Sequence, residues 1–300
     1  MPSIRARLVN QYVRSTLKRL PLHEIEPVKL RRIIERKPIP GTAPRGVDRE
    51  VVSDPVKGEW HRPAGRSVKR VILYFHGGGY VFGSPTTHRT LTYPLALTAD
   101  AEVFSLDYRL APEHPCPAAI EDALAAYQWL RVIGRAPEDI VFAGDSAGGG
   151  LALAAMQALV AAGEPLPACA VLYSPYTDLT AEAASLDANA ESDDMFQRAS
   201  FSMGPNYYAA NMARNDPRAS PLFGDMRGLP PLLVFASTSE MLYDDSARLV
   251  RRAEQEGVEV SFVTEDGLVH VWPLFYPLMP EAQDAIDRSA EFMKRYAKAD

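Results

Sequence analysis

The chain has only two cysteines in 300 residues, Cys116 and Cys169. That is too few for the disulfide framework of a small secreted domain. One lies between prolines and the other in an apolar run, as expected for buried free thiols in a reducing compartment, so the cytoplasm is the expected location. No apolar run approaches the roughly 18 residues that span a bilayer. "LALAAMQALVAA" comes nearest and is broken by Gln157. The N-terminus has no apolar core of a signal peptide, so no stable membrane insertion is expected. Charge of one sign does not dominate either: 32 basic and 38 acidic residues give −6, which suits solubility and offers no footprint for nucleic acid. Internal repeats and low-complexity tracts are missing.

Acids are also missing before Glu24, while Arg5, Arg7, Arg14, Lys18 and Arg19 are interleaved with Ile4, Leu8, Tyr12 and Leu17. This pattern fits a transit or membrane-surface helix. It also fits a helix that lays its apolar stripe on the rest of the protein, and the second reading is the one adopted. A further helix is expected over "PLHEIEPVKLRRIIERK". The cluster "PIPGTAPRG" then reads as a linker.

From Val47 onward the period changes. "VDREVVSD", "GEWHRP", "RVILYF", "EVFSLDY", "DIVFAG", "ACAVLYSP", "PLLVFAS" and "VEVSFVTE" read as strands, several of them continuous apolar runs. "PAAIEDALAAYQWLRVIG", "AGGGLALAAMQALVAAG", "DDSARLVRRAEQEG" and "PEAQDAIDRSAEFMKRYA" read as helices. The alternation predicts an α/β fold with a mostly parallel sheet covered on both faces. The polar, aromatic stretch from 181 to about 220 is too long for an ordinary loop and is expected to be a helical lid.

"FAGDSAGGG" sets one serine among four glycines between an apolar strand and a helix. Gly144-Asp145-Ser146-Ala147-Gly148 matches the Gly-x-Ser-x-Gly elbow, in which a sharp turn presents a nucleophilic hydroxyl. A phosphate-binding loop is excluded because no Lys-Ser/Thr follows the glycines. "HGGG", from His76, follows another strand. Glycines there let backbone N–H groups lie against a reacting carbonyl, together with the N–H of Ala147 after the serine. His76 as a metal ligand lacks partners at matching spacing, so no metal is expected.

Together "HGGGYVFGSP", "DYRLAPEHPCPAAIEDALAAYQWL", "GDSAGGG", "SPYTDL" and "LVHVW" resemble the hormone-sensitive-lipase family of carboxylesterases in the α/β-hydrolase superfamily. The resemblance runs from about Val47 to the end and is weakest in the lid. It implies an eight-stranded sheet and no cofactor. It further implies a cap made of residues 1–45 and 181–222 over a core of 46–180 and 223–300. By the same resemblance the triad is Ser146 as nucleophile, His270 in Gly267-Leu268-Val269-His270 as base, and an acid after the strand "PLLVFAS". Many members carry Asp there; here Glu240 stands at that position in Glu240-Met241-Leu242-Tyr243-Asp244. Glu240 is preferred to Asp244, since Asp244 and Asp245 open a helix and suit an N-cap role. Gly78, Gly79 and Ala147 are the expected oxyanion donors.

The expected function is hydrolysis of short- to medium-chain carboxylic esters through an acyl-enzyme. A lactone or amide hydrolase with the same triad is an open alternative. Plant hormone receptors that resemble this family but lack its histidine supply a non-catalytic alternative, which His270 opposes. The expected partner is a small ester. "VEVSFVTE" offers an edge on which a second copy could pair as a homodimer.

Overall fold

A computed structural model describes residues 1–35 and 44–297, so most of the segment read as a linker lies outside the described residues. Two helices open the chain, α1 (Ile4–Thr16) and α2 (Pro27–Glu35). There follow β1 (Val47–Val52), β2 (Gly58–Pro63), β3 (Val71–Phe75), α3 (Arg89–Thr98), β4 (Glu102–Leu106), α4 (Ala118–Val132), β5 (Ile140–Asp145) and α5 (Ala147–Ala162). The remainder holds β6 (Cys169–Tyr173), α6 (Ser185–Ala188), β7 (Leu232–Ser237), α7 (Tyr243–Gln255), β8 (Val260–Glu265) and α8 (Pro280–Tyr296).

All eight strands form one sheet in the order β1-β2-β4-β3-β5-β6-β7-β8. β1 and β2 pair antiparallel, as do β2 and β4, and every pair from β4 through β8 is parallel. Strands β3 to β7 are buried along their whole length, which is why their sequences are continuous apolar runs rather than alternations. Along β3, Val71, Leu73 and Phe75 face the core under α4, α5 and α7. Ile72 and Tyr74 face the opposite core, under α1, α3 and α8. Of the two edge strands, β1 is largely exposed and β8 is half-buried.

Three local expectations change. Helix α3 had no periodic signature because "RTLTYPLALT" mixes aromatic and β-branched residues with Pro94. Leu91, Leu95 and Ala96 nevertheless pack it into the core, and tertiary burial overrides propensity.

The stripe expected to dock α1 docks only at its end, where Leu17 packs on the core and lines the cavity beside Tyr12. Ile4, Leu8 and Tyr12 are 70, 61 and 66 % exposed, whereas Ala6, Val9 and Val13 are buried. Close approach explains the reversal: the buried face carries small side chains plus Asn10, whose Nδ2 donates to Gly267 O at 2.7 Å. The start of α1 is tied to α8, with Ser3 N–H donating to Glu281 Oε1 at 2.6 Å and Ser3 Oγ accepting from Ala6 N–H at 3.0 Å.

The lid segment is only sparsely helical. It contains α6, a 3₁₀ turn at Arg198–Ser202 and a wide turn at Gly204–Tyr208. Gly204, Pro205 and Pro217 interrupt any longer helix.

Candidate active site

Ser146 sits between the last residue of β5 and the first of α5, with φ 51° and ψ −120°. A non-glycine residue in that region costs on the order of 1–3 kcal/mol and persists only where its surroundings fix it. Its surroundings do so here. Ser146 N–H donates to Tyr173 O at 2.8 Å, and its carbonyl accepts from Gly150 N–H at 3.1 Å and Tyr176 N–H at 2.8 Å. The surrounding glycines are required by contact. A Cβ on Gly148 would stand 1.9 Å from Phe75 O, and one on Gly144 would stand 2.4 Å from Gly148 O. The α5 N-terminus thereby packs directly on the ends of β3 and β5, and its free N–H groups face the hydroxyl.

Gly78 and Gly79 adopt φ of 118° and 61° in the loop after β3. Neither N–H donates to a protein acceptor among the described residues. Ala147 N–H, at the first position of α5, has no intrahelical acceptor. The Gly78 and Gly79 loop is held from three sides. His76 stacks on Tyr108 at 4.2 Å, and Tyr108 Oη donates to His76 O at 2.7 Å. Tyr80 stacks on Tyr208 of the insert at 3.8 Å. From α2, Arg31 Nε donates to Val81 O at 2.7 Å.

Beneath the loop lies a buried cluster. Asp145 Oδ1 accepts from Tyr74 Oη at 2.5 Å and Gly77 N–H at 3.0 Å, while Oδ2 lies 3.2 Å from His88 Nε2. Burial works to raise the Asp145 pKa, but His88 and Tyr74 outweigh it and hold the carboxyl below its ordinary value. His88 had no motif around it in the sequence; its position behind the glycines emerges only on folding. Burial, with the nearby His88, pushes the His76 imidazole down to about 3, so it is neutral in this loop.

In the same cavity wall, His270 Nδ1 lies 2.5 Å from Glu240 Oε2, and both side chains are buried. Glu240 Oε1 accepts from Ser237 N–H at 3.1 Å, closing the turn after β7. Burial disfavours the imidazolium, yet the Glu240 carboxylate, through charge and hydrogen bond, and then Asp193 and Asp145 hold the His270 pKa above its ordinary value. Among the described residues His270 Nε2 has no hydrogen-bond partner, and the bond to Ser146 Oγ is not made here. Such bonds are often long in unliganded sites and tighten with substrate. Val271 follows at φ 51°, and its N–H donates to Ser174 Oγ at 3.3 Å.

Asp244 and Asp245 take neither role considered for them. Leu242, not an Asp, stands at the N-cap of α7, and no side chain caps it. Asp244 Oδ2 accepts from Ser185 N–H at 2.8 Å, across to the start of α6. Asp245 accepts from Thr177 and Asp178 N–H at 2.7 and 2.8 Å and so holds the "SPYTDL" loop.

Ser146, His270, Gly78 and Gly79 share the wall of one cavity of ≈ 320 Å³. Its other walls are mostly apolar and include Tyr12, Leu17, Phe82, Phe196, Phe201 and Leu274. Ala147 is fully buried behind Ser146 and reaches the site only by its backbone. The sequence offered no signal for Phe196, whose ring meets the His270 imidazole edge-on at 5.2 Å. Among the described residues no helix is long and apolar enough to cross a membrane.

The family described as alpha/beta hydrolase fold matches residues 72–274. An acetyl-hydrolase of Streptomyces hygroscopicus is 44% identical over 236 residues, covering 79% of both chains. An esterase of Acinetobacter venetianus is 40% identical over 238 residues, covering 79% of this chain and 78% of its own. Among solved structures, an esterase/lipase from an uncultured bacterium superposes with a TM-score of 0.93 at 36% identity, over 99% of this chain and 100% of that one. An esterase of the bacterial hormone-sensitive lipase family superposes with a TM-score of 0.92 at 38% identity, over 99% of each chain.

Proposed function

Since this chain belongs to the hormone-sensitive-lipase family of α/β hydrolases and is a carboxylic ester hydrolase, we propose that it acts through Ser146, His270 and Glu240. The observation that carries the reading is the short His270–Glu240 contact, with His270 Nε2 left unpaired among the described residues in the cavity that Ser146 lines.

In this mechanism His270 Nε2 takes the Ser146 proton as Oγ attacks the ester carbonyl. The developing oxyanion is met by the N–H groups of Gly78, Gly79 and Ala147, which are free of other acceptors and cost no reorganisation. His270 then returns the proton to the leaving alcohol, and water repeats the cycle to release the acid. Glu240 fixes the Nδ1–H tautomer and favours the imidazolium that forms in each transition state.

The cavity lies at the small end of the ligand-site range of about 300–1,000 Å³. That size, and the acetyl-hydrolase name of one relative, support short- to medium-chain acyl groups. Residues 1–35 and 181–222 act as a cap: Tyr12 from α1, Leu17 just after it, and Phe196 and Phe201 from the insert wall the cavity. The half-buried β8 edge supports pairing with a second copy, and the buried thiols of Cys116 and Cys169 support a cytoplasmic location.

The test is a panel of p-nitrophenyl esters from acetate to laurate, run with the wild type and Ser146→Ala. Turnover should be greatest between acetate and hexanoate and vanish in the variant. Turnover by Ser146→Ala near that of the wild type would overturn the triad reading.

A further inference from the structure

The insert carries a carboxylate whose placement exceeds what a loop needs. Asp193 is 2 % exposed. Its Oδ1 accepts from Met195 N–H at 2.7 Å and Phe196 N–H at 3.0 Å, the local bonds of an ordinary turn. Its Oδ2 instead accepts from Met241 N–H at 2.9 Å, a residue 48 positions away that directly follows Glu240. The two local bonds would satisfy a solvated turn; the third, and the burial, serve something else.

The neighbouring contacts point to the same place. Asn189 Nδ2 donates to Glu240 O at 2.8 Å and Thr238 O at 3.0 Å. Phe196, held by Asp193, is the ring that walls His270. Lys18, just beyond α1, donates to the carbonyls of Ala190 and Asp193 at 2.8 and 2.5 Å.

We propose that Asp193 is a positioning residue for the esterase reaction: from the inserted segment it fixes both the backbone that carries Glu240 and the aromatic ring that confines His270. The base is then complete only with the insert seated. The proposal rests on the triad reading above.

The charge of Asp193 acts in the same direction as its geometry. The carboxylates facing His270 are Glu240 from the turn after β7, Asp193 from the insert and Asp145 from the end of β5. The nearby cations of α1 and its C-terminal turn are already engaged, Lys18 with insert carbonyls and Arg14 with Asp194 at 2.7 Å. Loss of one anion should therefore make the imidazolium less favourable.

The test measures kcat and kcat/KM for p-nitrophenyl butyrate from pH 4.5 to 9, with melting temperature beside it, for Asp193→Asn, Asp193→Glu, Lys18→Met and Glu240→Gln. An amide offers one acceptor oxygen where two served three N–H groups, so Asp193→Asn must release Met241 or the local turn. Its kcat should fall by about 10- to 100-fold, the scale of a small displacement of a reacting group, with KM within about threefold. Its acid limb should move to lower pH by about half a unit. Asp193→Glu keeps the charge but not the reach, so it should lose kcat while keeping the limb. Lys18→Met keeps the carboxylate and should keep the limb.

Wild-type kcat with an unmoved limb in Asp193→Asn overturns the proposal, and so does a loss that follows melting temperature alone. If Asp193→Asn does not fold, wild-type kcat in Asp193→Glu overturns it equally. Activity retained by Glu240→Gln would instead overturn the triad, whereas an inactive Glu240→Gln beside an unaffected Asp193→Asn rejects Asp193 alone.

Discussion

Ser146 and His270 line the same cavity, and they are held there by different means. The serine side is a matter of backbone against backbone. Glycines at 144 and 148 let α5 touch the ends of β3 and β5, and the backbone bonds to Ser146 come from its own helix, the end of β6 and the loop that follows it. The histidine side is stitched together by side chains from distant segments. Asn10 of α1 bonds Gly267 O, Asn189 of the insert bonds Glu240 O, and Asp193 bonds Met241 N–H. A packed turn has little freedom to adapt, whereas a set of polar bonds can be loosened one at a time.

The strongest test removes the chemistry from each side. Ser146→Ala should lower kcat by on the order of 10⁶-fold with an unchanged melting temperature, as for other triad nucleophiles. Glu240→Gln should lose about 10³–10⁴-fold, because an amide cannot favour the imidazolium or enforce its tautomer. Melting curves of both variants separate these losses from misfolding.

A second pair tests the manner of support. Gly148→Ala drives a Cβ into Phe75 O, a backbone atom that cannot swing aside, and should destabilise the fold by about 3 kcal/mol. Asn10→Ala removes one hydrogen bond and should cost about 1 kcal/mol. Its effect should be seen mainly as a severalfold drop in kcat. Urea unfolding of both variants checks the contrast, and equal losses of stability would erase it.

The smallest effect is expected at Asp245, in the first turn of α7. Burial pushes its carboxyl up to about 7, with the neighbouring Asp178 adding, against the pull of the Thr177 and Asp178 N–H groups and Arg248. A raised folded value means its contribution is full below the unfolded carboxylate value, near 4, and is lost as pH rises through about 7. Asp245→Asn keeps an acceptor but cannot ionise. It should therefore be close to neutral at pH 5 and relatively more stable than wild type at pH 8. Melting curves at the two pH values decide this, and a parallel offset at both would reject it.

The same contrast explains what could be read from the amino acids alone. The serine side depends on residues close in sequence, so "GDSAGGG" and "HGGG" announce it. Glu240 and His270 were legible through their places after β7 and β8. Asp193, Asn189 and Phe196 were not, because a loop residue 48, 51 or 74 positions from its partner leaves no periodic trace. Asp244 and Asp245 looked like helix caps because acids at a helix start usually are. Here buried N–H groups from other segments claim them first. The α1 stripe was misread at Ile4 and Leu8, where size rather than hydrophobicity selected the face that docks, while Leu17 packs as expected.

The Ser3–Glu281 contact joins the first helix to the start of the last one. On the ribosome, therefore, α1 must wait for α8, which is made much later. Until residues 280–296 emerge, α1 lacks the surface to which its beginning is tied, and Tyr12 and Leu17 cannot take their final places over the cavity. Contacts of such long sequence separation close late in folding. We expect a refolding protein to recover sheet signals before it reacts with a serine-directed phosphonate, with the lag marking the arrival of α1.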